Sequence, residues 1–424
     1  MKLRTYKNST ELGSLHGKPI YMSDLTEACL VGRLNLFLLG DTGCGKTQLA
    51  RDVMDYFPDN LYFLGRPDMT TRDVFYQLNP KFLTALQEGK PLDGVEMKEL
   101  REEIGRRLIV VDELPNCPAA VRSQLFNLFD GYVEIDGKHY PLGRGDYSVG
   151  IGMGNIGQEF TESWNDLGRA LRDRMHVTID LDYFHPNGRD LLEILAGNTD
   201  PRVDFTSHQD REKFGNNIVE SYQRIREQPI SLEKAIISGY LTLGLDYCVA
   251  GGMPRSKRQM KSAWPNAVDN HGKGSDEALI KPVSTRTAKS IIRLSDSLDY
   301  ILRQRGVPEE TVQQGQFDSM MFAFRMIAPY SGILNPAAVQ NFYDGDNYAA
   351  TDAVIQTTRA QFEEKKQAIG AAIAMMKEGK IYDRIMRQFD GRWAFMHELV
   401  RGLKGYAEKQ PIHQKEKGWK DKTN

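Results

Sequence analysis

One octapeptide constrains this chain more than any other feature. Gly40-Asp41-Thr42-Gly43-Cys44-Gly45-Lys46-Thr47 fits the pattern G-x-x-x-x-G-K-[ST] in full. The near-continuous apolar run 34–39 precedes it, and a helical pattern from Gln48 to Tyr56 follows. A strand, a glycine-rich loop and a helix in this order make a cradle for phosphate. The glycines let backbone N–H groups wrap an anion, and the helix N-terminus adds a favourable dipole. The expected phosphate-binding set is therefore Gly40, Asp41, Thr42, Gly43, Cys44, Gly45, Lys46, Thr47 and Gln48. In such a loop Lys46 reaches the β- and γ-phosphates, and Thr47 ligates Mg²⁺.

A second motif completes the chemistry. Leu108-Ile109-Val110-Val111 reads as a buried strand, and Asp112-Glu113 stand at its C-terminal end. Ligands of open parallel sheets sit at that edge. Asp112 is expected to hold Mg²⁺ through water, and Glu113 to polarise the attacking water. Alone, the pair reads equally as two solvated acids at a strand end; the phosphate loop tips the reading towards function. Further apolar runs lie at 61–64, 147–151 and 177–181, alternating with helical patterns. That is what a parallel sheet covered by helices on both faces requires. Residues 132–140 alternate around Asp136-Gly137 and predict a β-hairpin.

Strand signals stop near Pro186. Residues 187–250 and 284–330 carry helix-period apolar positions, with a Gly-, Pro-, Lys- and Asn-rich loop at 251–281 between them. Another helical section starts near Asn335. In it Ile355, Phe362, Ile369 and Met376 are spaced by seven, but Thr358, Lys365 and Ala372 occupy the intervening positions. This predicts a helix packed on the body of the protein, not a coiled coil. The polar, lysine-rich C-terminal tail is expected to be disordered.

Composition closes off other classes. Of 424 residues, 40% are hydrophobic and 26% charged, as in folded proteins. The net charge of −2 argues against a protein held to nucleic acid by global charge. No apolar run reaches the roughly 20 residues a membrane span needs, and no secretory signal opens the chain. The 4 cysteines are dispersed without a CxxC, which points to a reducing, cytoplasmic setting and away from a zinc site. His176 and His397 lack metal-ligand spacing, and residues 343–347 lack an EF-hand continuation. No Asn-Lys-x-Asp for guanine is present, so ATP is favoured over GTP.

The order of further motifs resembles the AAA+ ATPases, and among them the MoxR group. After Asp112-Glu113-Leu114 come Pro118, a helix at 123–126, and a hairpin with Ile135-Asp136-Gly137 and Tyr140-Pro141-Leu142. A strand then ends in Gly154-Asn155, like the sensor-1 asparagine. Ala170-Leu171-Arg172-Asp173-Arg174-Met175 is similar to the arginine-finger segment, and Val283-Ser284-Thr285-Arg286-Thr287-Ala288 to the start of the sensor-2 helix. The likeness spans about residues 20–335. Pro115-Asn116, Ile156, Met175 and Thr285 depart from the usual family residues.

The resemblance implies an AAA+ P-loop core over 1–185 and an α-helical lid over 186–335; the C-terminal helical section expected over 336–424 has no counterpart in it. Asn155 would orient water or the γ-phosphate, although Gly-Asn-Ile-Gly is also turn-like. Arg174 would serve a neighbouring subunit's nucleotide, with Arg172 and Arg169 as nearby alternatives. Arg286 would contact nucleotide in its own or a neighbouring subunit. The implied assembly is a homo-oligomeric ring, a hexamer, with Mg²⁺ and ATP, that remodels a partner protein in a chaperone-like way. Related proteins often work with a von Willebrand factor A partner. Phe75-Tyr76 read better as core aromatics than as a substrate grip. Two alternatives stand: a DNA motor using Lys138, His139 and Arg144 of the hairpin, and a non-hydrolysing scaffold, which Glu113 argues against.

Overall fold

In a computed structural model, residues 1, 3, 6–71, 76–78, 80–89, 91, 98–100, 106–135, 138–155, 174–196, 211–248, 253–254 and 279–403 are described. Arg169, Arg172, Phe75, Asp136-Gly137, most of 251–281 and the C-terminal tail lie outside them. The chain divides into two compact units, Met1–Tyr222 and Gln223–Asn424.

The first unit is built on a five-stranded parallel sheet. A short hairpin comes first, β1 (Glu11–Leu15) against β2 (Lys18–Tyr21). His16 and Gly17 turn it with φ of +51° and +72°, the left-handed pair that a two-residue hairpin turn needs. The hairpin is an addition to the sequence expectation, because its strands are short and interrupted by a bulge near Gly13. Helix α1 (Met22–Val31) follows, then β3 (Leu36–Leu39), α2 (Lys46–Met54) and β4 (Asn60–Leu64). A small pair, β5 (Tyr76–Leu78) with β6 (Lys98–Leu100), flanks α3 (Pro80–Gln87). Then come β7 (Leu108–Asp112), α4 (Ala119–Asp130), the hairpin β8 (Tyr132–Ile135) and β9 (Lys138–Pro141), β10 (Val149–Gly154) and β11 (Val177–Asp180). Helix α5 (Gly188–Ala196) follows, and α6 (Arg211–Arg226) runs across the boundary at Tyr222.

The sheet order is β11-β3-β10-β7-β4. All five strands match apolar runs seen in the sequence; β7 and β10 are buried throughout, as strands covered on both faces are, whereas the edge strand β4 exposes Tyr62 and Leu64. On one face Phe37, Ile109 and Val111 meet Val121, Leu125, Leu128 and Phe129 of α4 and the turn before it. This sheet with its helices, followed by helical structure, is the AAA+ P-loop fold.

β10 places Gly150, Gly152 and Gly154 on one face, by the period of two. A Cβ on Gly150 would lie 2.2 Å from Phe129 Cδ1, and one on Gly154 would lie 2.3 Å from Pro115 Cδ. The strand can therefore carry no side chains there: α4 and the turn at Leu114–Asn116 lie directly against its backbone. Pro115 is the neighbour that demands glycine at 154.

The second unit is mainly helical: α7 (Leu232–Gly239), α8 (Thr285–Gln304), α9 (Glu309–Gln314), α10 (Gln316–Ile327), α11 (Pro336–Tyr343), α12 (Asn347–Glu378), α13 (Asp383–Met386) and α14 (Met396–Gly402). It adds one two-residue antiparallel pair, Tyr247–Cys248 with Met253–Pro254, so strands do not end at Pro186, and one lies within the stretch expected to be loop. α12 buries Thr358 and Ala372 together with Ile369 and Met376, which makes it a helix packed within its unit. Phe362 stacks edge-on against Tyr240 and Trp393. Among the described residues, no helix is long and apolar enough to cross a membrane.

Candidate functional site

The sheet topology gathers the predicted residues at one edge. The strands are parallel, and Leu39 pairs with Gly154 and Asp180, while Leu64 pairs with Asp112. The loop after β3, the acids after β7 and Asn155 after β10 therefore emerge together at the C-terminal edge. β10 lies between β3 and β7, which carries Asn155 in between the loop and the acid pair.

Hydrogen bonds tie these groups into one cluster. Lys46, buried at 7% exposure, donates from Nζ to Gly40 O at 2.7 Å, Asp41 O at 2.9 Å and Asn155 Oδ1 at 2.7 Å. Thr47 Oγ1 donates to Asp112 Oδ2 at 3.1 Å. Asp112 Oδ1 accepts the Glu113 N–H at 2.9 Å. Glu113 sits at φ +51°, a left-handed conformation uncommon for a residue with a Cβ. Such strain collects at functional sites. The Glu113 carboxyl is pushed above the ordinary glutamate range, chiefly by burial and then by Asp112, with Lys46 opposing. Asn116 Nδ2 donates to Glu113 Oε2 at 3.4 Å.

The loop is braced from both flanks. Asp41 N–H donates to Asp182 Oδ2 at 2.7 Å, just beyond β11. Gly40 has φ +150°, and a Cβ there would come within 2.7 Å of Cys44 Sγ. The Cys44 thiol is pushed up mainly by burial, with Lys46 opposing. Gln48 Nε2 donates to Asp52 Oδ1 at 3.0 Å, along α2.

Two residues at this edge escaped the sequence reading. Tyr62, on the edge strand β4, donates its hydroxyl to Asp112 Oδ2 at 2.9 Å, so that oxygen takes two donors. Burial and the neighbouring Asp112 raise the Tyr62 hydroxyl well above its ordinary value, which keeps it a donor. Lys7 donates to Gly45 O at 2.9 Å and is fully buried. The apolar run 61–64 does not show which face of β4 points outward, and nothing local marks Tyr62 as an Asp112 partner.

Arg174 lies at the other end of the sheet. It precedes β11, whose first residue Val177 pairs with Leu36, whereas the loop follows Leu39. The strand alone interposes about 10 Å. Arg174 Nε donates to Asp130 Oδ2 at 2.8 Å, and the guanidinium stacks 5.1 Å over the Phe126 ring. Buried Asn35 fixes its backbone, donating to Arg174 O at 2.9 Å and Phe129 O at 2.7 Å while accepting from Gly150 N–H. Arg286 is an exposed residue of the second unit, in the first turn of α8 behind the N-cap Ser284. On the hairpin, exposed Lys138 pairs in register with Ile135, and His139 faces Glu134 at 3.8 Å. The side chain of Arg144 lies outside what is described. Tyr76 packs half-buried against the core, as expected for a core aromatic.

Residues 35–175 match the family described as AAA domain (dynein-related subfamily). That span holds the loop, the acid pair, Asn155 and Arg174. A search of curated proteins finds no match. Among solved structures, the fold is similar to a candidate ATPase from Cytophaga hutchinsonii ATCC 33406, whose crystal structure is at 2.00 Å resolution. That likeness has a TM-score of 0.50 at 19% identity and covers 79% of this chain and 87% of the other.

Proposed function

We propose that this chain is an ATP-hydrolysing AAA+ machine of MoxR type, with its core over 1–185, a helical lid over 186–335 and a C-terminal section over 336–424. One observation carries the reading: Lys46 and Asn155 are hydrogen-bonded at 2.7 Å beside a Thr47–Asp112 contact of 3.1 Å, all at one sheet edge. Loop, acid pair and polar sensor are then within reach of one triphosphate.

The donor set suits Mg²⁺. Thr47 Oγ1 and Asp112 Oδ2 are hard oxygens, and Mg²⁺ takes few protein ligands beside phosphate and water. Among the described residues no cluster of three or more His, Cys, Asp or Glu side chains offers a competing all-protein cage. Thr47 and Asp112 would hold the ion, which supplies neutralisation of charge on the phosphoryl oxygens. Lys46 would bind the β- and γ-phosphates, and Asn155 would orient the terminal phosphate or the attacking water. Glu113 would accept that water's proton; its raised carboxyl makes it a better base than an ordinary glutamate.

Arg174 would act on a neighbour's nucleotide. Its place at the opposite end of the sheet from its own loop favours a head-to-tail ring, and closure of such contacts makes a hexamer or similar ring. Asp130 and Phe126 hold the guanidinium ready for that role. Arg286 would contact nucleotide from the lid. We infer a chaperone-like remodelling role on a partner protein, with a von Willebrand factor A protein as the candidate partner. The DNA-motor reading is weakened because Glu134 stands opposite His139 on the hairpin.

The test is ATPase rate against protein concentration, with and without single-stranded DNA. Specific activity should rise with concentration and ignore DNA; stimulation by DNA would transfer the reading to the motor. Glu113→Gln should keep ATP binding and lower turnover by about 10²-fold or more. Unchanged turnover would remove Glu113 from catalysis.

A further inference from the structure

Lys7 lies 38 residues before Gly45 and belongs to no motif. It sits on the short turn Tyr6–Asn8, is 0% exposed, and places Nζ 2.9 Å from the Gly45 carbonyl oxygen. That carbonyl also accepts the first bond of α2, from Leu49 N–H at 3.0 Å. Gly45 has φ +88°, and a Cβ there would stand 2.9 Å from Lys7 Nζ. The positive φ favours glycine at 45, and the lysine ammonium lies directly against it.

The turn is itself anchored. Asn8 exchanges hydrogen bonds with the backbone of Leu3, and Ser9 Oγ donates to buried Asp190 Oδ1 at 2.7 Å. Lys7 therefore reaches the loop from a fixed base.

We infer that Lys7 is a positioning residue of the phosphate loop, holding the Gly45–Lys46 peptide so that its N–H is aimed into the nucleotide cradle. The inference rests on reading that loop as the ATP site. The physical step is peptide planarity: the Gly45 C=O and the Lys46 N–H belong to one rigid unit and point in opposite directions. A cation clamped on the carbonyl side fixes where the N–H points. It also polarises the peptide, strengthening that N–H as a donor to an anion.

The electrostatics agree with a functional placement. Burial lowers the Lys7 ammonium to about 8, against the opposing pull of Asp52 and Cys44. Asp52 is itself fully buried on α2. Burying a charge is costly, and the Gly45 carbonyl and the field of Asp52 are what compensate Lys7 here.

The experiment titrates MgATP onto the full chain by fluorescence of an N-methylanthraniloyl-ATP probe, for wild type, Lys7→Met, Lys7→Gln and Lys46→Ala. Lys7→Met should raise Kd by about tenfold or more, the loss expected for a charge-assisted hydrogen bond. Lys7→Gln keeps a donor without the charge and should fall between; it alone decides if Lys7→Met does not fold. Wild-type affinity should decline as pH rises through about 8, where Lys7 loses its proton, and Lys7→Gln should be flat there. Kd within twofold of wild type in both variants, or a wild-type pH profile shared by Lys7→Gln, would overturn the role. A wild-type chain that binds no ATP would remove the loop reading and the Lys7 role together. Wild-type binding lost in Lys46→Ala but unchanged in the Lys7 variants would remove Lys7 alone.

Discussion

The two units bury lysines in opposite settings. In the helical unit, Lys234 on α7 bonds Asp296 Oδ1 at 2.6 Å and Asp299 Oδ2 at 3.0 Å, both on α8. Asp299 accepts in turn from Ser319 of α10. Burial disfavours the Lys234 charge, yet the two aspartates more than offset this and raise its ammonium above the ordinary value. In the sheet unit, Lys46 is held by two backbone carbonyls and an asparagine oxygen. Lys7 bonds a carbonyl, and burial lowers it against the pull of buried Asp52. The neutral dipoles around Lys46 solvate its cation without cancelling it, which leaves field for an anion; the carboxylates around Lys234 cancel its charge and tie helices together. The same residue type is thus paired with carboxylates in one unit and ringed by neutral acceptors at Lys46 in the other.

The largest test of this contrast is Lys234→Met. It strands two carboxylates in the helical unit and should cost about 3–5 kcal/mol in urea unfolding. Lys46→Met should cost about 1 kcal/mol or less and instead abolish ATP binding. Comparable destabilisation by both would break the contrast.

Next comes Gly154→Ala. The added methyl meets Pro115, so overpacking should cost about 1–3 kcal/mol and displace the neighbouring Asn155. Turnover should fall more than Mg²⁺ affinity, and Pro115→Ala in the same chain should restore much of both stability and rate. No rescue would mean that Pro115 is not the obstacle.

Tyr62→Phe removes one of two donors on Asp112 Oδ2 and should cost about 1 kcal/mol. A Mg²⁺ titration of ATPase should show a shift in the half-activating concentration of roughly fivefold. An unshifted curve would make Tyr62 a bystander.

The smallest effect is in pH. Glu113 must be ionised to accept a proton, and its carboxyl is raised by burial and Asp112. Turnover should therefore fall as pH drops through a value above the ordinary glutamate range. The same raised value means that ionised Glu113 costs stability, so Glu113→Gln should be slightly more stable than wild type above that point, and equal or less stable below it. Thermal melts across pH read the sign.

Much of the site was legible because its parts are contiguous. The loop, its strand and its helix span residues 34–56, and the acid pair ends an apolar run. Local order suffices there, since burial on both faces writes itself as unbroken hydrophobicity. Gly154-Asn155 was legible only through its order among other motifs. The N-terminal hairpin was not, because its strands are short and interrupted by a bulge. Lys7, Tyr62 and Asn35 left no trace as site residues, each being one polar residue in an unremarkable stretch.

The sequence by itself determined the chemistry available: a glycine loop that can wrap phosphate, a lysine, a threonine and two acids at strand ends. Only the tertiary structure decided which of them meet. Strand order put β10 between β3 and β7 and so brought Asn155 to Lys46. It set Arg174 at the far end of the sheet from its own loop, and it carried Tyr62 across 50 residues to Asp112 and Lys7 across 38 to Gly45. Periodicity reports which face of an element is buried, a local property. Partnership across the chain depends on which strands lie side by side, and no local pattern encodes that.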